Sequence, residues 1–335
     1  MKIVILIIVL FLISIIGLLI YKKIAISYNL LATINHRTLH SSSIPKGGGV
    51  VFSILTVLPV LFAWWKYQLS AEFFWVLGVG GFIATLVGFI DDVKNIRARI
   101  KLVVQLVLSS WVVFWLHESF FLRYDWLPKY VILLFLLFFM VWIINAYNFL
   151  DGIDGMAASG AIFVSSTIAI VLFLNNGTVE IMSVFILLAT AVSGFMLFNW
   201  PPASIFMGDS GSIFLGYTFG ALMLFTVKSG DLSIWNWLVV FGYFFADTTV
   251  TQITRVLLVK KWWHAHRSHA YQNLARITGS HLKVTSGVTI YHLFWILPLT
   301  LWSALVPEFA LVAVFLAVTP AMVVAHMYGT RFSSS

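Results

Sequence analysis

The succession of apolar runs, each close to the ~20 residues a helix needs to cross a bilayer, constrains this chain more than any other feature. They fall near 3–20, 48–65, 73–90, 102–117, 130–148, 158–174, 180–198, 211–227, 234–258, 284–304 and 309–327. Short loops join them, and no linker or change of composition marks a second domain. The expectation is an all-α protein: one integral-membrane domain over residues 1–335, a polytopic bundle of about eleven transmembrane helices. Composition agrees, with 61% hydrophobic and only 10% charged residues, where a soluble domain carries about 25% charged. The first run lacks a small-residue cleavage pattern and leads into Lys22-Lys23, so it reads as a retained span. Without cysteine there is neither a disulfide framework nor a thiolate metal site.

Basic residues set the orientation. Fifteen of the 20 lysines and arginines fall on the side reached after spans 1, 3, 9 and 11, and five on the other. The positive-inside rule places the fifteen in the cytoplasm, the N-terminus outside and the C-terminus inside. The excess of +8 is thereby accounted for by topology. No basic cluster interleaved with aromatics on a soluble domain supports a nucleic-acid partner.

The twelve acids divide more sharply. Glu72, Glu118, Asp125, Glu180, Asp231 and Glu308 border the outer loops, whereas Asp91, Asp92, Asp151, Asp154, Asp209 and Asp247 all lie at or near the opposite ends of spans. Charge at a membrane boundary is costly unless it meets water, a partner or a ligand, so six acids on one face suggest one shared polar site. The densest stretch is Asn145-Ala-Tyr-Asn148-Phe-Leu-Asp151-Gly-Ile-Asp154-Gly155. Asp91-Asp92 is a pair that remains ionised only near a cation, and Mg²⁺ binds through one or two carboxylates plus phosphate and water. A solvated pair beside Lys94 is the plainer alternative.

Three further segments carry weaker signals. Gly208-Asp209-Ser-Gly-Ser212 has the form of a helix start with amides free to meet an anion, or of a simple Asp cap. Lys46-Gly47-Gly48-Gly49 precedes span 2, either as a phosphate cradle with Lys46 as its cation or as a close-packing entry. The loop Trp262-Trp-His264-Ala-His266-Arg267-Ser-His269 suits Zn²⁺ or phosphate, or is a basic interfacial loop. Asp247, Thr251 and Arg255 recur every four residues along span 9, the spacing of an intrahelical polar ladder.

In order along the chain, Pro45-Lys-Gly-Gly-Gly, Asp91-Asp92, Asn145-x-x-Asn148-x-x-Asp151-Gly-x-Asp154-Gly, Phe206-Met-Gly-Asp209-x-Gly-Ser and the His loop resemble the polyprenyl-phosphate N-acetylhexosamine-1-phosphate transferase superfamily of MraY, WecA and TagO. The His-Arg-Ser-His-Ala-Tyr-Gln segment is similar to the O-antigen-initiating branch represented by WbpL. The resemblance implies transfer of a sugar-1-phosphate from a UDP-N-acetylhexosamine (GlcNAc- or FucNAc-type) to undecaprenyl phosphate, with release of UMP. The place implied is a bacterial cytoplasmic (inner) membrane with the site on the cytoplasmic face; membrane lipid surrounds the chain, and a homodimer is compatible with it.

It further implies Asp209 as ligand of Mg²⁺, or of Mn²⁺ in its place, and Asp91 and Asp92 as the catalytic pair. Asp151, Asp154, Asn199 and Phe206 match uridine-pocket positions, with Asn148 and Lys46 also on the substrate-binding side. His266, Arg267 and His269 offset developing charge. The His-x-His-His string of many relatives is broken here by Ala270-Tyr271-Gln272, which leaves His264, His266 and His269 as alternatives. The lysine that MraY-type members place ahead of the glycine motif falls near Ser41, which disfavours the peptidoglycan-precursor branch. An ion-coupled transporter is the rival from another class, since intramembrane acids often mark ion paths; those acids sit near the midplane between repeats, not in Gly-rich segments at helix ends.

Overall fold

The computed structural model describes residues 2–32, 43–67, 69–258 and 268–329. The helices are α1 (Lys2–Ser27), α2 (Gly49–Tyr67), α3 (Ala71–Phe73), a π-helical stretch Phe74–Gly80, α4 (Gly81–Lys94), α5 (Ala98–Arg123), α6 (Lys129–Leu150), α7 (Met156–Leu174), α8 (Val179–Asn199), α9 (Asp209–Ser229), α10 (Ile234–Val240), α11 (Gly242–Leu258), α12 (Ala270–Thr278), α13 (His281–Tyr291), a π-helical turn His292–Ile296, α14 (Leu297–Leu305), a 3₁₀ turn Pro307–Phe309 and α15 (Ala310–Tyr328). The one β-type pairing among the described residues is the isolated bridge Leu31–Pro45. With no water to bond exposed amides, this helical economy is what a bilayer demands.

Ten helices or continuous helical runs among the described residues are long and apolar enough to cross a membrane. The ninth expected span, 234–258, is present as two helices, α10 and α11, interrupted at Phe241. Helix ends also extend past the apolar runs. The fourth span begins at Ala98, not near 102, which brings Lys101 into its first turn.

α9 forms the axis of the bundle. Its sequence is apolar or small all round, the pattern of a helix surrounded by others, and every residue from Ser210 to Val227 is buried. α4 and α6 flank it closely. At Gly88 on α4, a side chain would collide with the backbone of Asp209 and Ser210, so this glycine lets the two helices meet where their polar ends converge. α1, by contrast, packs by one face only: Ser14 donates to Ala191 O at 2.7 Å and Leu18 is fully buried, whereas Ile3, Leu6, Leu12 and Ile16 on its outer face are exposed, as suits a lipid-facing helix.

Candidate active site

Asp91 and Asp92 are consecutive, and side chains one residue apart on a helix point about 100° from each other. That angle separates their roles. Asp92 turns into the bundle, 7% exposed, and accepts from Asp209 N at 2.9 Å through Oδ1 and from Ser210 N at 3.0 Å through Oδ2. The N-terminus of α9, expected to offer amides to an outside anion, is therefore occupied by an anion of the protein itself. Helix-terminal charge of this kind contributes about 1–2 kcal/mol when partly buried. Gly208 makes the approach feasible: its φ is +74°, and a Cβ there would lie 2.5 and 2.6 Å from the two Asp92 oxygens. Asp92, expected to share catalysis with Asp91, receives the α9 amides and so positions Asp209.

Asp91 faces the other way, 2% exposed. Its Oδ1 accepts from Ile96 N at 2.7 Å, across the turn made by left-handed Asn95, and its Oδ2 is ion-paired with Lys101 Nζ. The same ammonium reaches Asp209 Oδ2 at 2.7 Å, while Asn148 Nδ2 donates to Asp209 Oδ1 at 2.9 Å and to Ser212 Oγ at 2.8 Å. One cation thus bridges two carboxylates drawn from α4 and α9, and an amide from α6 fixes the second of them. Lys101 was missed as a site residue in the sequence because hydropathy assigns it to a loop. The signal was its place ten residues after Asp91, at the start of an apolar run. Lys101 is 34% exposed and Asp209 26%, so a ligand can reach both.

The loop 151–155 lies beside this cluster. Burial, then the negative charges of Asp209 and Asp92, push the Asp151 carboxyl well above the ordinary carboxylate range, with the Gly208 amide offsetting part of the rise. Asp154 and Asn199, both matched to the uridine pocket, face inward instead. Asp154 accepts from Ala203 N at 3.0 Å and lies 3.1 Å from His281 Nδ1, and its carbonyl accepts from Thr285 Oγ1 at 2.7 Å. Asn199 accepts from Gly155 N at 3.1 Å and donates to Ile205 O at 3.0 Å. These two side chains tie the loops 151–155 and 200–208 together. Phe206, three residues before Asp209, is half-buried. His281, absent from the sequence expectations, is the partner that links Asp154 to α13.

The glycine segment packs against the segment that leads to α9. Gly48 N and Gly49 N donate to the carbonyls of Phe206 and Met207 at 3.0 and 2.9 Å, and Phe206 N donates to Pro45 O at 2.8 Å. Two of the three glycine amides are thereby used within the protein. Tyr21 on α1 donates to Lys46 O at 2.7 Å, and Lys46 Nζ rests 3.4 Å from Asn95 Oδ1, at the rim.

Of the His loop, residues 259–267 lie outside the described residues, so His264, His266 and Arg267 have no place in this geometry. His269 caps the start of α12 and is 1% exposed, stacked near Phe149 and Tyr271 with centroids 5.5 and 5.9 Å away. Its Nδ1 lies 3.8 Å from Asp247 Oδ2, and Asp247 Oδ1 accepts from Ala270 N at 2.9 Å. The first rung of the expected ladder is present, Thr251 Oγ1 to Asp247 Oδ1 at 3.4 Å, and the acid's shorter contact crosses to α12. Five of the six acids therefore gather around the ends of α4, α6 and α9, and Asp247 anchors the return of the His loop.

A Mg²⁺-type cation takes one or two carboxylates and completes its shell with phosphate and water. Asp209, partly exposed beside Asn148 and Ser212, with Asp91 across Lys101, offers that donor set. No group of three or more His, Asp or Glu forms an all-protein cage among the described residues. The residues present fit a cation shared with a substrate phosphate, and not one buried as a structural metal.

A family described as Glycosyl transferase family 4 matches residues 74–227, the interval that holds Asp91, Lys101, Asn148 and Asp209. The chain is similar to a probable undecaprenyl-phosphate N-acetylglucosaminyl 1-phosphate transferase of Bacillus subtilis, 31% identical over 326 residues, covering 92% of this chain and 87% of that one. It is also similar to the phospho-N-acetylmuramoyl-pentapeptide-transferase of Fervidobacterium nodosum, 32% identical over 196 residues, 57% of this chain and 61% of that one. That of Caldanaerobacter subterraneus is 33% identical over 207 residues, covering 56% and 63%.

Proposed function

The chain belongs to the polyprenyl-phosphate hexosamine-1-phosphate transferase superfamily, and we propose that within it the protein moves an N-acetylhexosamine-1-phosphate from a UDP-sugar to undecaprenyl phosphate. The products are a lipid-linked diphosphate sugar and UMP, and the sugar is of the GlcNAc or FucNAc type. The reading extends to the first step of O-antigen or another cell-surface polysaccharide, on the cytoplasmic side of a bacterial inner membrane. The fifteen basic residues on the side of the site support that orientation.

The observation that carries the reading is the Asp91–Lys101–Asp209 bridge at the membrane-boundary end of the bundle. Phosphoryl transfer asks a protein for positioning and charge compensation more than for covalent work. An oxygen of the lipid phosphate attacks the sugar-bearing phosphorus; the new P–O bond forms as the bond to the uridine-bearing phosphate breaks, and UMP leaves with that electron pair. Asp91, ion-paired with the cation that also meets Asp209, takes any proton left on the attacking phosphate. Lys101 compensates charge gathered on the equatorial oxygens. Asp209, steadied by Asn148 and by Asp92 through its own backbone, would hold Mg²⁺ or Mn²⁺, which supplies Lewis-acid neutralisation of the diphosphate when bound. Phe206 stacks on the uracil ring, and Asp151 lines the nucleotide side.

Purified protein given undecaprenyl phosphate, Mg²⁺ and one UDP-sugar at a time tests this. UMP release with a UDP-N-acetylhexosamine, stopped by EDTA, is expected. Release only with the UDP-muramoyl pentapeptide would move the protein to the peptidoglycan-precursor branch. No release with any UDP-sugar would end the transferase reading for this chain, and release that survives EDTA would end the metal proposal.

A further inference from the structure

Asn145 opens the densest polar motif of the chain, yet none of the chemistry above uses it. Its side chain lies almost one helical turn deeper along α6 than Asn148, and Nδ2 donates to Gln105 Oε1 at 2.8 Å and to Val141 O at 2.8 Å. Gln105 is 5% exposed. It stands four residues beyond Lys101, hence on the same face of α5. Two rungs therefore join α5 and α6. In the upper one, Lys101 and Asn148 converge on the two oxygens of Asp209; in the lower, Gln105 meets Asn145.

The lower rung carries more than its share. Gln105 is the first buried residue of α5, and Ile100, Leu102, Val103, Leu106 and Val107 around it are exposed to the surroundings. The two turns that present Lys101 are thus held by the buried Gln105 and the half-buried Val104, and apolar contact this sparse leaves the axial register of a lipid-facing helix loosely specified. Lysine adds its own freedom, a flexible four-carbon stem. A directional hydrogen bond in a water-free layer supplies what packing does not.

We infer that the Gln105–Asn145 pair is a positioning device: it sets the register of α5 against α6 and thereby holds Lys101 between Asp91 and Asp209. Its consequence for turnover rests on the transferase reading, but the register itself does not. Asn145→Leu, Gln105→Met and the double variant are compared in detergent by thermal unfolding, by the rate at which an amine-directed reagent labels Lys101 (read by peptide mass spectrometry), and by turnover. Each single variant should unfold within a few degrees of the parent and label at Lys101 roughly three- to twentyfold faster, the span that an interhelical polar contact in a membrane commands. The double variant should label no faster than either single, because one pair is lost in all three, and kcat should fall by a similar factor. Unchanged labelling at Lys101, or a double effect equal to the product of the singles, overturns the inference. Faster labelling with undiminished kcat upholds the register and counts instead against Lys101 in the transferase. Gln105→Met, close in length and volume, carries the test if Asn145→Leu does not fold.

Discussion

Replacing Lys101 with methionine removes the cation from between two carboxylates and keeps the length of the side chain. The ammonium lies 2.7 Å from Asp209 Oδ2 and is paired with Asp91 Oδ2 as well. At an effective dielectric of about 20, one such attraction is worth roughly 4 kcal/mol at 4 Å. Desolvation offsets part of that, and Lys101 is 34% exposed, which calls for a further discount. A net contribution of about 2–3 kcal/mol remains for the cation facing both carboxylates. If it is expressed in the transition state, kcat falls roughly 30- to 150-fold, measured as UMP released at saturating donor and lipid. The second effect has the opposite sign. With the internal cation gone, Asp91 and Asp209 repel each other, so a divalent ion is bound more tightly and the Mg²⁺ concentration for half-maximal rate drops. Turnover near that of the parent, together with an unchanged Mg²⁺ response, would refute the idea that Lys101 is the charge centre of the site.

Gly208→Ala puts a Cβ within 2.5 Å of Asp92 at a φ of +74°, which costs about 1–3 kcal/mol; both the unfolding temperature and turnover should fall, and retention of both would show that the cap is dispensable. Asp154→Ala frees Ala203 and His281 and should raise KM for the UDP-sugar roughly tenfold or more with a smaller change in kcat; the reverse pattern would argue that Asp154 acts on the reacting phosphates. Asp151 holds its proton more tightly folded than unfolded, so its contribution to stability is fully present below the ordinary carboxylate value of about 4 and is lost as pH rises through the raised value. Unfolding temperatures between about pH 5 and pH 8 should decline more steeply in the parent than in Asp151→Asn, and parallel slopes would contradict the shift.

Much of the bundle was legible because apolar length is a local property: ten spans follow it directly. The break at Phe241 was not, since Val239 to Ala246 is uniformly apolar or small and the interruption arises where α10 and α11 each pack against α15. The site divides along the same line. Asp91, Asp92, Asn148 and Asp209 stood out as rare polar residues in recognisable order, and they do converge. Their different partners were hidden, because adjacency in sequence made Asp91 and Asp92 look equivalent when the helix turns one onto Lys101 and the other onto the α9 amides. Lys101 was lost to an averaging effect, since charges at 97, 99 and 101 lower the hydropathy of a turn that is already helical. Asp247 could not be assigned to His269 by spacing, because the contact joins α11 to the start of α12, 22 residues apart in sequence.

The most direct test of the central claim, that chemistry is organised at Asp209 by Asp91, Lys101 and Asn148, is made with Asp209→Asn, which keeps the shape and the backbone bonds to Asp92. Lipid product and UMP are quantified together by mass spectrometry over a Mg²⁺ titration. The expected result is equimolar lipid diphosphate sugar and UMP from the parent, and loss of both from the variant at every Mg²⁺ concentration, with its unfolding temperature nearly unchanged. Equimolar products from Asp209→Asn at a rate close to the parent's, with the same Mg²⁺ dependence, would contradict it.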